Sequence, residues 1–163
     1  MKKIISILCL LLALTIGASP VMAASKTVDA SKYLFKSSNT ASMRKLAKKV
    51  KKMKTKSSSK YPSLYLKGNK VTIGVCENAS ARSSRNEYLR ITNEGNKNLT
   101  IYKLKINDTK SVVKKKMKAA YFTYTNLDGT GKAYWFGESS CIKVKYNKKG
   151  KLKKWTYISA PTS

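Results

Sequence analysis

Residues 141–158 read CIKVKYNKKGKLKKWTYI, and this stretch decides the fold that we predict for the chain. Apolar and polar residues alternate on both sides of the turn-forming run Asn147-Lys148-Lys149-Gly150, which is typical of two β-strands joined by a hairpin turn. Because the apolar positions alternate with lysines, we expect a sheet with one buried face and one face toward water.

The same alternation predicts further strands, at 70–76, 87–92, 99–106, 121–125 and 133–136. The turn formers Asn93-Glu94-Gly95-Asn96 predict a hairpin between the strands at 87–92 and 99–106. A helix is expected to begin after Asp108 or Thr109 and to run to about Tyr121. The sequence therefore predicts an α+β fold, in which one main helix covers an antiparallel sheet as a two-layer sandwich.

Two motifs in 104–158 resemble the small SmpA/BamE-type envelope domains. The first is the helix start LKINDTKSVV at 104–113, and the second is the strand-turn-strand IKVKYNKKGKL at 142–152. The chain differs from that family in two features. Asn107 stands at a position where the family prefers Gly, and the cysteine by which the family is anchored to lipid is absent from this chain. The resemblance covers about a third of the chain and implies a helix-and-sheet fold, but it does not imply the envelope-assembly role.

The first 23 residues have the features of a cleaved signal peptide. Lys2 and Lys3 precede an apolar run at 4–16, and Val21-Met22-Ala23 fits a small-residue cleavage site. That run is too short for the roughly 20 residues needed to span a bilayer. We therefore expect a bacterial protein that is secreted or held at the cell surface.

Residues 24–60 form a predicted basic arm that precedes an α+β domain at 61–163. Apolar residues at helical spacing favour an amphipathic helix over 42–56, whose cations would contact an anionic membrane or polymer. Those cations are Arg44, Lys45, Lys48, Lys49, Lys51 and Lys52. The alternative is a marginal helix or a solvated linker, because the apolar stripe is narrow and lacks aromatic residues.

The composition argues against an enzyme. The 163 residues include 35 Lys and Arg, 7 Asp and Glu and no His, so the formal charge is +28 and no histidine can serve as a base or a metal ligand. Four Ser-x-x-Lys matches occur, about as many as the abundance of serine and lysine gives by chance. We expect no catalytic residue, no metal and no cofactor.

Two cysteines remain after the expected cleavage, Cys76 and Cys141. An even number in an exported protein makes them a candidate disulfide, while the alternative is two small buried side chains. The sequence does not decide between these two interpretations.

The 141–158 hairpin combines many lysines with aromatic residues, a combination that is typical of polyanion-binding surfaces. The candidate polyanion-binding residues are Lys143, Lys145, Lys148, Lys149, Lys151, Lys153, Lys154, Trp155 and Tyr157. The alternative is an ordinary lysine-rich face toward water.

The charge and the expected export together favour a secreted cationic binding module of the envelope. Its expected partners are anionic wall polymers, acidic glycans or lipid headgroups, with nucleic acid less favoured because an exported protein meets it later. The alternative is a protein-binding or inhibitor-like module that uses the open sheet face.

Overall fold

A computed structural model describes residues 26–36, 38–77, 88–127, 131–137 and 139–159. Within these ranges the chain forms two α-helices, a short 3₁₀ turn at Ala30–Tyr33 and ten strands. The helices are α1 (Asn39–Val50) and α2 (Lys110–Ala119). The strands are β1 (Val28–Asp29), β2 (Lys54–Thr55), β3 (Leu64–Gly68), β4 (Val71–Val75), β5 (Leu89–Asn93), β6 (Leu99–Thr100), β7 (Thr123–Leu127), β8 (Gly131–Phe136), β9 (Ser140–Tyr146) and β10 (Leu152–Ser159).

Eight of the strands form one antiparallel sheet in the order β2-β3-β4-β5-β10-β9-β8-β7. Strands β1 and β6 form a separate parallel pair. The predicted α+β class is confirmed, as are the hairpin β9–β10 and the helix that begins after Thr109. The expected signal peptide at 1–23 lies outside the described residues.

The strand predicted over 99–106 is wrong beyond its first two residues. Ile101 and Leu104 form an isolated bridge that closes a turn, and Tyr102 and Lys103 within it have positive φ angles of 47° and 63°. The predicted hairpin with 87–92 is also absent, because β5 pairs with β4 and β10 instead. Alternation over so short a stretch fits a buried turn as well as a strand.

The fold contains two similar units, a repeat that was not predicted from the sequence. Each unit is a short strand, a helix and a four-stranded meander, and the units join through their last strands, β5 and β10. Equivalent residues lie 71 positions apart in the first part of each unit: Val28 pairs with Leu99, and Ser38 and Thr109 are the helix N-caps. The order of the strands in the sheet is symmetric about the β5–β10 pair.

The core lies on one face of the sheet. Ile73, Ile91, Tyr157 and Ile142 are paired side by side across four strands and are each at most 1% exposed. Buried residues of both helices belong to the same hydrophobic cluster. The prediction that one main helix covers the sheet is therefore corrected: two helices cover it.

The described part of the predicted arm, 26–36 and 38–60, contributes buried residues to this core, which corrects the domain boundary at 60/61. Met43 and Leu46 of α1 are completely buried, and β2 pairs with β3 on the sheet edge. Helix α1 also differs from the predicted 42–56, since it begins at Asn39 and ends at Val50. The narrow apolar stripe suffices because a helix that packs on a sheet needs only one buried side.

Cys76 and Cys141 form no disulfide, and both are buried. Cys141 pairs with Ile158 of β10, Ile158 with Arg90 of β5, and Arg90 with Gly74 of β4, two residues before Cys76. Three strand spacings amount to about 14 Å, twice the roughly 7 Å that a disulfide tolerates between Cα atoms. The strand order thus excludes the candidate bridge and leaves the two thiols as small core side chains.

Candidate anion-binding site

The strand register brings three loop segments to one end of the eight-stranded sheet. Val71, Asn93, Trp155 and Val144 are paired in one row, so the chain segments next to them lie at the same end. The end of α1 joins them, because Gly68 lacks a Cβ and the backbone carbonyl of Lys52 packs against it. We call this surface the basic end and define it as residues 51–53, 69–70, 94–98 and 145–154.

The basic end carries far more cations than carboxylates. Its single acidic residue is Glu94. Its lysines are Lys51, Lys52, Lys70, Lys97, Lys145, Lys148, Lys149, Lys151, Lys153 and Lys154, all of them exposed except the half-buried Lys154. Because these lysines come from four different parts of the chain, it is the fold that concentrates their charge.

Carboxylates neutralise few of the lysines in the part of the chain that the structure describes. Glu94 pairs with Lys154 at 2.5 Å, and Asp108 pairs with Lys116 at 2.8 Å. The hydrogen bond from Lys154 holds the pKa of Glu94 below its ordinary value. Asp29 instead accepts from the backbone N–H of Ser31 and of Lys103. Of the ten lysines at the basic end, only Lys154 has a carboxylate partner among the described residues.

A cleft of about 620 Å³ opens where α1 reaches the basic end. Its lining contains four lysines, three asparagines and no carboxylate. The lining residues are Lys26, Val28, Lys49, Val50, Lys51, Lys52, Asn69, Asn96, Asn98 and Leu99. The cleft is larger than a single small anion needs and lies within the usual range for ligand sites, about 300 to 1,000 Å³.

Asparagine side chains hold the walls of the cleft together. Asn69 Nδ2 donates to the carbonyl of Val50 at 2.9 Å, and Asn96 Nδ2 donates to the carbonyl of Asn69 at 3.0 Å. Asn96 Oδ1 accepts from the backbone N–H of Asn98 at 2.8 Å. Asn69 thus satisfies a carbonyl at the C-terminus of α1, a task for which lysines are often used.

Two of the cleft lysines have unusual backbone angles. Lys51 has φ 61° and ψ 161°, a region that glycine alone adopts readily, and Lys52 has φ 53°. A non-glycine residue in such a conformation costs about 1–3 kcal/mol. Glycine is the usual residue just after a helix, yet this chain has lysine at both positions.

The 141–158 hairpin presents its lysines as predicted but not its aromatic pair. Trp155 and Tyr157 are buried on the core face, and burial raises the pKa of Tyr157. Lys143 and Lys145 are exposed on the opposite face. The cause is a β-bulge between Leu152 and Lys154, which shifts the alternation so that Leu152 and Trp155 both face the core.

The helix cations Arg44, Lys45, Lys48, Lys49, Lys51 and Lys52 are all exposed. The apolar side of α1 is occupied by the core, with Leu46 completely buried and Val50 7% exposed. The apolar side of α1 is therefore not available to a membrane surface. Contact of its cations with an anionic membrane stays a prediction. An interaction of its cations with an anionic polymer remains a prediction.

Six loop residues at or near the cleft were not predicted as site residues from the sequence: Lys26, Lys70, Lys97, Asn69, Asn96 and Asn98. A signal for most of them was present, because the dipeptide Asn-Lys recurs at 69–70, 96–97 and 147–148. All three copies lie in turns at the basic end. Asn and Gly mark turns in sequence, but only the strand order shows that these turns are neighbours.

Within the described ranges, no helix is long and apolar enough to cross a membrane. The same residues contain no group of three or more His, Cys, Asp or Glu side chains arranged to hold a metal ion. Comparisons with protein-family profiles, curated proteins and solved structures found no significant match. The resemblance of 104–158 to SmpA/BamE-type domains stays a prediction.

Proposed function

We propose that this protein is exported and binds an anionic polymer of the bacterial cell envelope through the basic end, without catalysing a reaction. The observation that carries the proposal is the convergence of ten lysines on one end of the sheet, of which only Lys154 has a described carboxylate partner. The expected signal peptide at 1–23 supports the cellular location.

A polyanion suits this surface because both partners begin with high charge density. Lysines crowded at one end repel one another and hold counterions, and a polymer that neutralises several of them releases ions from both partners. Affinity should therefore fall linearly with the logarithm of salt concentration. A monovalent small anion would neutralise one or two lysines and would show a much smaller slope.

The non-catalytic part of the proposal rests on the available groups. The chain has no histidine. The four described carboxylates, Asp29, Glu77, Glu94 and Asp108, all accept hydrogen bonds that hold loops, a helix start or a lysine. Groups fixed in structural hydrogen bonds are poorly placed to move protons for a substrate.

The test measures binding of residues 24–163 to a wall-type polymer, poly(glycerol phosphate), over a range of salt concentrations. The variant K148Q/K149Q/K151Q removes three exposed lysines from the basic end. We expect its slope of log affinity against log salt to be smaller by about 2, at roughly 0.7 per lost lysine contact, with an unchanged melting temperature.

The matched control is K32Q/K36Q/K118Q, which removes three exposed lysines that lie outside the basic end. At physiological salt, charges are screened beyond about 8 Å, so this control should keep the wild-type slope. An equal decrease of the slope in both variants would show that net charge alone drives binding and would contradict a site at the basic end. No binding by the wild type would contradict the proposed function itself.

A second candidate function, protein binding, is favoured by a row of side chains on the sheet face opposite the helices. Tyr65, Arg90, Ile158 and Trp135 lie in this row and are all half-buried. Tyrosine, tryptophan and arginine are enriched at protein interfaces. A single protein partner that stays bound in 1 M salt, and is lost when Trp135 is replaced by alanine, would favour this second function.

A further inference from the structure

We propose that the cleft at the end of α1 binds one phosphate group of a glycerol phosphodiester polymer, and that Lys51 and Lys52 hold this phosphate. The inference rests on the proposed function and names the substrate class and the central residues. Its basis is the combination of a cleft with four lysines, loops fixed by asparagine, and two lysines in strained conformations.

The strained conformations favour a role for the side chains. At Lys51 the backbone adopts φ and ψ angles that glycine populates freely and lysine does not. Lysine therefore lowers the stability of the fold at this position compared with glycine. Asn69 already satisfies the helix-end carbonyl of Val50, so the Lys51 ammonium is not needed there. A contact with a ligand would compensate for the backbone cost.

The lining of the cleft favours phosphate over carboxylate. Its cations are ammonium groups, which act as compact point charges and fit around a tetrahedral anion from several directions. A planar carboxylate is best matched by the two parallel donors of an arginine, and the cleft lining contains no arginine. The exposed amide of Asn98 provides a polar group for a hydroxyl of the unit attached to the phosphate.

The size of the basic end favours a polymer over a single headgroup in a lipid surface. From β3 to β9 the sheet spans four strand spacings, about 19 Å. Exposed lysines of the basic end are distributed over that distance. The exposed large hydrophobic residues of the described chain are Phe35, Val112, Tyr121 and Phe136, all of them outside the basic end. This end thus offers charge to a chain of phosphates but no apolar group to insert among lipids.

The experiment uses the single variants K51G and K52G in residues 24–163. Glycine removes the strain and the ammonium together, so the two readouts should move in opposite directions. We expect a higher melting temperature and an affinity for poly(glycerol phosphate) about fivefold lower for each variant at physiological salt. A merely structural role of these lysines would leave affinity unchanged.

The matched control is K103G. Lys103 is exposed, has a φ of 63° and lies outside the cleft lining. This variant loses one charge and one strained residue, as K51G does. It should also raise the melting temperature, and it should keep the wild-type affinity. An equal affinity loss in K103G and K51G would overturn the assignment of the cleft.

Three further probes separate the ligand classes. Polyglutamate of matched charge should bind more weakly than poly(glycerol phosphate) and should respond less to K51G. Vesicles of phosphatidylglycerol present the same phosphodiester on a lipid surface. The loss of affinity caused by K51G should be largest with poly(glycerol phosphate). A larger loss with vesicles, with an oligonucleotide or with polyglutamate would overturn the assignment of a glycerol phosphate polymer.

The inference can fail while the proposed function survives. If K51G and K52G bind as the wild type does while K148Q/K149Q/K151Q binds weakly, the polymer binds at the hairpin and the cleft assignment is wrong. If the wild type binds none of the probes, both proposals are wrong.

Discussion

The two units, 26–93 and 97–159, have the same architecture and differ in chemistry where each helix ends. Helix α1 is followed directly by Lys51 and Lys52, whereas α2 is followed by Ala120 and then by Tyr121 and Phe122. Lys51 and Tyr121 both have a φ of 61°. Tyr121 is 85% exposed, and Phe122 packs against Phe136 with ring centroids 5.5 Å apart. The chain just after the helix thus carries cations in one unit and aromatic rings in the other. The repeated core fixes where a loop lies, and the loop residues decide what it can bind.

The largest expected effect tests whether both units contribute to one core. Leu46 of α1 and Met117 of α2 lie 71 positions apart, and both are completely buried. Replacing either residue with alanine should lower the free energy of unfolding by about 2–5 kcal/mol, because each change leaves a cavity in the core. Chemical denaturation monitored by circular dichroism measures the difference.

Of these two variants, L46A tests the comparison of the units more directly. A change below about 0.5 kcal/mol would mean that 26–60 is a loosely attached arm, as the sequence alone suggested, and that the two units are not equivalent. The replacement of exposed Lys45 by alanine, next to Leu46 on the same helix, is the control and should have little effect.

A smaller effect distinguishes how the two helices begin. At the start of α1, Glu77 Oε1 accepts from the backbone N–H of Thr40 at 2.8 Å and from Ser38 Oγ at 3.2 Å. Burial opposes ionisation of Glu77, but these hydrogen bonds outweigh it and lower its pKa from the ordinary 4.5. The variant E77Q should lose about 1 kcal/mol of unfolding free energy at pH 7, since a neutral amide interacts more weakly with a helix N-terminus.

The pH dependence of that loss has a defined direction. A carboxylate with a lowered pKa in the folded state stabilises the protein above its ordinary value of 4.5, and this contribution disappears as pH falls through the folded-state pKa. The stabilities of the wild type and E77Q should therefore converge in acid. A difference that stays constant from pH 7 to pH 3 would show that Glu77 acts through its shape and not its charge. Both helices have a local N-cap, Ser38 and Thr109, but among the described residues only the start of α1 also has a carboxylate from a distant part of the chain.

Local patterns predicted much of the second unit. The β9–β10 hairpin and helix α2 lie close to the predicted bounds because alternation, a turn-forming Asn147-to-Gly150 run and an N-cap threonine act over neighbouring residues. The first unit was harder to predict, because the many lysines around α1 resemble a solvated segment until the sheet that covers Met43 and Leu46 is known.

The candidate site was only half predictable for the same reason. Exposed lysines on the hairpin follow from composition, but the bulge that buries Trp155 is a one-residue irregularity without a sequence signal of its own. The cleft depends on the pairing of β5 with β10, which brings distant turns to one end of the sheet. Long-range strand order is not encoded in any local period.

The smallest expected effect concerns the cysteines, one from each unit. Cys76 and Cys141 are buried and separated by β5 and β10, so no bridge links the two units covalently. A reducing agent should therefore leave the melting temperature of residues 24–163 unchanged, whereas a bridge closing a loop of about 65 residues would contribute roughly 4 kcal/mol in the chain-entropy model. Alkylation in denaturant without reductant should add two adducts by mass. A protein with no alkylated cysteine that loses stability on reduction would contradict the β4-β5-β10-β9 order, because these residues can approach within bonding distance only if that order changes.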